Sequence, residues 1–139
     1  MSTKKEQILQ KISKIKDFLK ELATFQEISL IQLSKDSREK AVLERFLYLA
    51  CDSTISLLEM FISYKDYPTA STYSENIDVL FEKKEISIEE SEILHKIVGL
   101  RNILSHDYEK LDLAILKNVV DNKLEDIEKL IGKIGKSLE

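Results

Sequence analysis

The sequence is poor in residues that interrupt regular structure: its 139 residues include one proline, Pro68, and three glycines. Breakers this scarce exclude a fold made of many tight turns, as an all-β sandwich or barrel requires. Cysteine is nearly absent as well. The single Cys51 cannot close an internal disulfide, which fits a reducing compartment. It lies in the run Phe46-Leu47-Tyr48-Leu49-Ala50-Cys51, where a small buried hydrophobe is the ordinary role. No uninterrupted apolar stretch approaches the roughly 18 residues of a membrane span. The start, Met1-Ser2-Thr3-Lys4-Lys5-Glu6, leads into charged amphipathic sequence without an apolar leader core. A soluble, cytoplasmic protein with no membrane partner is expected. Basic residues are outnumbered, 21 Lys and Arg against 25 Asp and Glu, for a net charge of -4. Any contact with nucleic acid must therefore use a local basic patch.

What the sequence has is leucine, isoleucine, glutamate and lysine, with 33% charged and 43% hydrophobic residues. That mixture suits amphipathic helices, and the length fits one domain over residues 1–139. Ile8, Ile12, Ile15, Phe18, Leu19, Leu22 and Phe25 recur at spacings of three and four and predict a long first helix. Ser34-Lys35-Asp36-Ser37 breaks the pattern and offers capping side chains. A second long helix follows, with Ala41, Val42, Phe46, Leu49, Ile55, Leu58 and Ile62 as its apolar face. It should stop near Asp66-Tyr67-Pro68, because the residue before proline is pushed from the helical region. A short helix is predicted from Ser74 to Glu82, with Ile77, Leu80 and Phe81 inward. Ser87-Ile88-Glu89-Glu90 has capping-box spacing and opens a helix through Ile93, Leu94, Ile97, Val98 and Leu100. One last long helix starts near Leu111-Asp112, and Gly132 and Gly135 predict a frayed end. The fold class expected is all-α: an up-down bundle of four main helices plus a short extra one.

Polar chemistry gathers in Arg101-Asn102-Ile103-Leu104-Ser105-His106-Asp107-Tyr108, directly after an apolar stretch. His106 can exchange a proton near neutral pH, and Arg101 is a permanent cation with planar donors suited to phosphate. Metal-free RNA cleavage needs such a base for the ribose 2′-OH and such a cation for the phosphorane-like transition state. The ordinary alternative is a helix C-cap and a solvated histidine, and the spacing alone leaves both open. No metal is expected. His95 and His106 lie eleven residues apart, about three helical turns, which is a poor pair of ligands. On a continuous helix Arg101 and His106 project about 140° apart. The expectation is therefore a helix that ends or distorts near Ser105, and a site facing a second chain. Arg38 and Arg45, seven apart, share a helix face and are candidate RNA contacts, though a solvated face is the favoured explanation. Asp52 could orient a site cation or cap a buried polar group. Tyr64, Tyr67 and Tyr73 surround the Pro68 loop and could stack on bases or cover the bundle end.

Arg101 to Tyr108 match Arg-x4-His-x-Tyr, which resembles the signature of HEPN-domain toxins of the HepT type. The likeness extends over Arg38-Glu39-Lys40-Ala41-Val42-Leu43-Glu44-Arg45, the Tyr67-Pro68 loop, Asn76 to Ser87, Val98-Gly99-Leu100-Arg101-Asn102 and the final helix. It covers most of the chain from about Arg38 to Leu130. The resemblance implies a dimeric helical bundle that cleaves RNA without a metal or other cofactor. It implies Arg101 and His106 as catalytic residues with Asn102 in support. It also implies an MNT-type nucleotidyltransferase antitoxin as partner, able to attach AMP to the motif tyrosine, here Tyr108. A second reading is a non-catalytic, HEPN-like substrate-binding subunit of a minimal nucleotidyltransferase. A third is a purely structural helical dimer.

Overall fold

A computed structural model describes residues 2–106 and 111–138. Seven α-helices and one 3-10 turn make up its regular structure, with no strand among the described residues. Helix α1 (Lys4–Ala23) buries Ile8, Ile12, Ile15, Leu19 and Leu22, the stripe its spacing predicts. It ends before Phe25, which is buried from the 3-10 turn Thr24–Glu27. Next comes the short α2 (Leu30–Ser34), with a Ser29–Gln32 capping box that the sequence reading missed.

Helix α3 (Ser37–Tyr64) is the spine of the bundle and packs on both α1 and α5 (Ile88–His106). The carboxylate of Asp36 opens α3, accepting from the backbone N–H groups of Arg38 at 3.2 Å and Glu39 at 3.1 Å. Such a cap is worth about 1 kcal/mol. The helix stops two residues before the expected boundary; Asp66 beyond it takes a left-handed conformation, φ 57°. By length and composition α3 could cross a membrane, yet half of its most apolar window is buried within the bundle. Its inward face is set by Leu43, Leu47, Ala50, Cys51, Ile55, Leu58 and Ile62. Ala41 and Val42, expected inward, are exposed, and the buried stripe of α3 begins at Leu43.

Helix α4 (Tyr73–Glu82) buries Ile77 and Leu80. Phe81, expected with them, is 42% exposed, since the next position lies about 100° round the helix from Leu80. At the start of α5 the Ser87 hydroxyl accepts from the Glu90 N–H at 3.1 Å, and the Glu90 carboxylate from the Ser87 N–H at 2.8 Å. The same carboxylate takes the Lys133 ammonium at 2.6 Å, tying α5 to the C-terminal segment.

The predicted last helix is two helices, α6 (Leu113–Asn122) and α7 (Leu124–Lys136), meeting at Lys123. Val120, Leu124 and Ile127 keep helical spacing across the break and are all buried, so periodicity alone could not reveal the turn. Helix α7 continues through Gly132 and Gly135 to Lys136 rather than fraying at them. Gly135 faces α1, where an added Cβ would meet Ile12 Cδ1 at 3.5 Å. Lys117, nearly buried on α6, extends its ammonium to the carbonyls of Phe25 at 2.9 Å and Gln26 at 3.2 Å and to Asp121 at 2.7 Å. Gln26 returns the contact by donating to the Val120 carbonyl at 2.9 Å.

Candidate active site

Leu94, Ile97 and Val98 form the buried stripe of α5, and Leu104 continues it nearly two turns later. Arg101 occupies the position between them, where spacing calls for an apolar residue. Its side chain is consequently only 18% exposed and lies against α3. There the guanidinium Nε donates to Asp52 Oδ1 at 3.2 Å, and Nη1 donates to Asn102 Oδ1 at 3.3 Å. Its carbon is 5.8 Å from the ring centroid of Tyr48 and 5.7 Å from that of Tyr73. Tyr73 reaches it from the first turn of α4. Three helices thus converge on one cation. Burial works against its charge, but the Asp52 hydrogen bond and the tyrosines outweigh that and raise its pKa further.

Of the two roles open to Asp52, the structure shows a pairing with a cation, the candidate site residue Arg101. Tyr48 is the residue the sequence reading missed. A signal for it exists, because Arg38, Ala41, Arg45, Tyr48 and Asp52 recur at alternating spacings of three and four along α3. Apart from Ala41 they form a polar stripe beside the core stripe. Arg45 stands over the Tyr48 ring at 5.6 Å, which joins it to the cluster. Arg38 is exposed two turns earlier, and among the described residues its side chain has no hydrogen-bond or ion-pair partner. Tyr64 and Tyr67 belong elsewhere. Tyr64 donates its hydroxyl to the Leu138 carbonyl at 3.1 Å and Tyr67 to Glu85 at 2.8 Å, so both brace the bundle end.

His106 and Asn102 are exposed on α5. Of the two expectations for Ser105, a helix end or a distortion, the first fits: α5 is α-helical to His106, one residue further, and Ser105 donates its hydroxyl to the Asn102 carbonyl at 3.2 Å. Arg101 and His106 of one chain hence remain about 140° apart. Tyr108 lies outside the described residues. His95 pairs with Asp78 at 3.4 Å, away from His106. Among the described residues no three His, Cys, Asp or Glu side chains stand close enough to hold a metal ion. Cys51, next to Asp52, is fully buried, and burial together with that carboxylate pushes its thiol up to about 12.

An all-helical bundle carrying this motif at the end of its fifth helix has the HEPN-type fold, and solved HEPN structures superimpose on it. The chain belongs to the HepT-like family, described as Ribonuclease HepT-like, whose model matches residues 8–134. An mRNA nuclease HepT of Shewanella oneidensis is 32% identical over 88 residues, which are 63% of this chain and 66% of that nuclease. The alignment thus spans just under two thirds of that relative's length. The tri-AMPylated HEPN toxin of Shewanella oneidensis, solved in complex with MNT antitoxin, superimposes with a TM-score of 0.85 at 27% identity, covering 98% of this chain and 99% of that one. A toxin–antitoxin solved with AMP-PNP gives 0.84 at 28% identity, over 93% and 97% of the two chains.

Proposed function

We propose that this chain is a metal-independent endoribonuclease and the toxin of a toxin–antitoxin pair. The cradle around Arg101 carries the reading. A core-stripe position holds a guanidinium, fixed by Asp52 and two tyrosines, on the same helix as His106. A packing position has no use for such an arrangement; a phosphate-handling site does. The family match and the mRNA nuclease relative point the same way.

In this reading His106 serves as general acid/base and removes the proton of a ribose 2′-OH. The freed oxygen attacks the adjacent phosphorus, the bond to the 5′-oxygen breaks, and that oxygen takes up a proton. A 2′,3′-cyclic phosphate and a 5′-hydroxyl result. Arg101 stabilises the charge that builds on phosphorus, and Asn102 steadies its Nη1. Arg38 and Arg45 contact the RNA on either side of the cleaved bond. The scheme calls on no metal, and the carboxylate beside Arg101 is already engaged by it.

Because Arg101 and His106 diverge on a straight helix, the working site draws on two chains, and we infer a homodimer. The proposed partner is an MNT-type nucleotidyltransferase antitoxin, like that in the Shewanella oneidensis complex. Transfer of AMP from ATP to the phenol oxygen of Tyr108, with release of pyrophosphate, would add bulk and negative charge beside the RNA phosphate site. The exposure of His106 and the same angular gap also support a second reading, a non-catalytic substrate-binding subunit of a minimal nucleotidyltransferase.

RNA cleavage by the purified chain decides between them. Cleavage should persist in EDTA and fall roughly 10²- to 10⁴-fold in His106→Ala. Abolition by chelation, or full activity in both His106→Ala and Arg101→Ala, would sink the catalytic reading. Tight binding of the nucleotidyltransferase without growth arrest on expressing the chain alone would favour the second.

A further inference from the structure

Between α3 and the last turns of α5 lies a cleft of about 340 Å³, lined by Ala41, Glu44, Arg45, Tyr48, Leu104 and Ser105. It is contiguous with the Arg101 cradle through Tyr48, and Leu104 and Ser105 belong to the stretch between Arg101 and His106. A nucleotide whose phosphate met Arg101 would place its base within reach of this cleft. One wall is a planar cation, the Arg45 guanidinium over the Tyr48 ring, and bases of single-stranded RNA stack on such planes. The volume is at the small end of ligand sites and suits one base.

Glu44 is the informative residue. Its side chain is only 20% exposed, and the nearest cation, Lys40 Nζ, stands 4.0 Å away. A carboxylate beside an RNA backbone repels phosphate, so its place there is explained by acceptance of hydrogen bonds from a base. Two carboxylate oxygens match two adjacent N–H donors. Among the four RNA bases only guanine presents such a pair on its Watson–Crick edge, at N1 and N2. Its O6 is an acceptor for the donors of Arg45.

We propose that this cleft is a guanine-recognition subsite, with Glu44 reading N1–H and N2–H, and Arg45 stacking on the base or donating to O6. Glu44 is a specificity-determining residue, not a member of the proton-transfer machinery. The inference rests on the ribonuclease reading, and the experiment separates the two. Short single-stranded RNAs identical except for guanine, inosine, adenine or cytosine at one position are cleaved by the full chain and by Glu44→Gln. Inosine lacks only the 2-amino group. The wild-type chain should cut beside guanine more efficiently in kcat/KM than beside inosine by about 5- to 150-fold, the span of a lost bidentate contact. In Glu44→Gln the ratio should approach one, with an unchanged helical circular dichroism signal. The guanine-to-inosine comparison needs no variant and stands by itself. No cleavage of any RNA overturns the ribonuclease reading and this subsite with it. Cleavage with no guanine preference, with a cytosine preference, or with a guanine preference that survives Glu44→Gln overturns the subsite alone.

Discussion

Two cations lie deep in this small bundle, and they are used in opposite ways. Lys117 on α6 has three N–H donors, and the protein answers all three: two carbonyls at the end of the 3-10 turn and the Asp121 carboxylate. Its network is closed, and its work is to fix α6 against the end of α1. Arg101 on α5 has five N–H donors. Among the described residues two of them are answered, by Asp52 and Asn102, while Tyr48 and Tyr73 flank the guanidinium. A cation fully answered by its own protein is a structural fastener. One that is held in place with donors left over among the described residues fits the proposed phosphate-handling role.

The sharpest way to break this comparison is to exchange the two positions' chemistry. Arg101→Lys keeps the charge but loses the planar fork and the Nε contact with Asp52. RNA cleavage should fall roughly 10²- to 10³-fold with little change in Tm. Lys117→Met should do the reverse. Leaving two carbonyls and Asp121 without their donor should cost about 2–4 kcal/mol, or about 6–15 °C in Tm, with cleavage per folded molecule retained. A Lys117→Met chain of normal Tm that no longer cleaves RNA would reverse the two roles.

A smaller effect sharpens the Arg101 side. Asp52→Asn preserves shape and one hydrogen bond but removes the charge that holds the guanidinium. A fall of about tenfold in kcat, the equivalent of about 1.4 kcal/mol, is expected, with the loss absent in an Arg101→Ala background. Additive losses in the double variant would show that Asp52 acts independently of Arg101.

The smallest effect concerns the Glu90–Lys133 fastener between α5 and α7. Burial of Glu90 favours its neutral form, but the Lys133 hydrogen bond and the Ser87 cap outweigh that and hold its pKa below the ordinary 4.5. The stabilisation is therefore present above pH 4.5 and is lost as pH falls through the lowered value. Lys133→Met should lower stability at pH 7 by less than about 1 kcal/mol, since the pair is partly exposed. Melting curves of the two chains should converge in stronger acid; a gap that widened there would contradict the assigned sign.

Local chemistry was legible in the sequence wherever it acts over three or four residues. Asp36, Ser87 and Glu90 cap the helices their spacing predicted, and the stripes of α1, α4 and α7 are largely as spaced. The break at Lys123 was not legible, because a change of axis that leaves the apolar phase intact alters no pattern. The site divides the same way. Arg101 and His106 stand out as a motif, whereas the pairing of Arg101 with Asp52 spans 49 positions and depends on how α3 crosses α5. Tyr48 was hidden because an aromatic residue in an apolar run reads as core. Only the alternating polar stripe from Arg38 to Asp52 distinguishes it.

The uninterrupted helicity of α5 has a consequence for how such a protein would behave in a cell. On the proposed reading, the azimuthal gap between Arg101 and His106 is bridged by assembling the site from two chains. Catalysis of that kind has a built-in dose threshold: at concentrations below the dissociation constant, the number of complete sites rises with the square of the number of chains. Sparse leakage of the protein would then be nearly harmless, and a modest rise in supply would switch it on steeply.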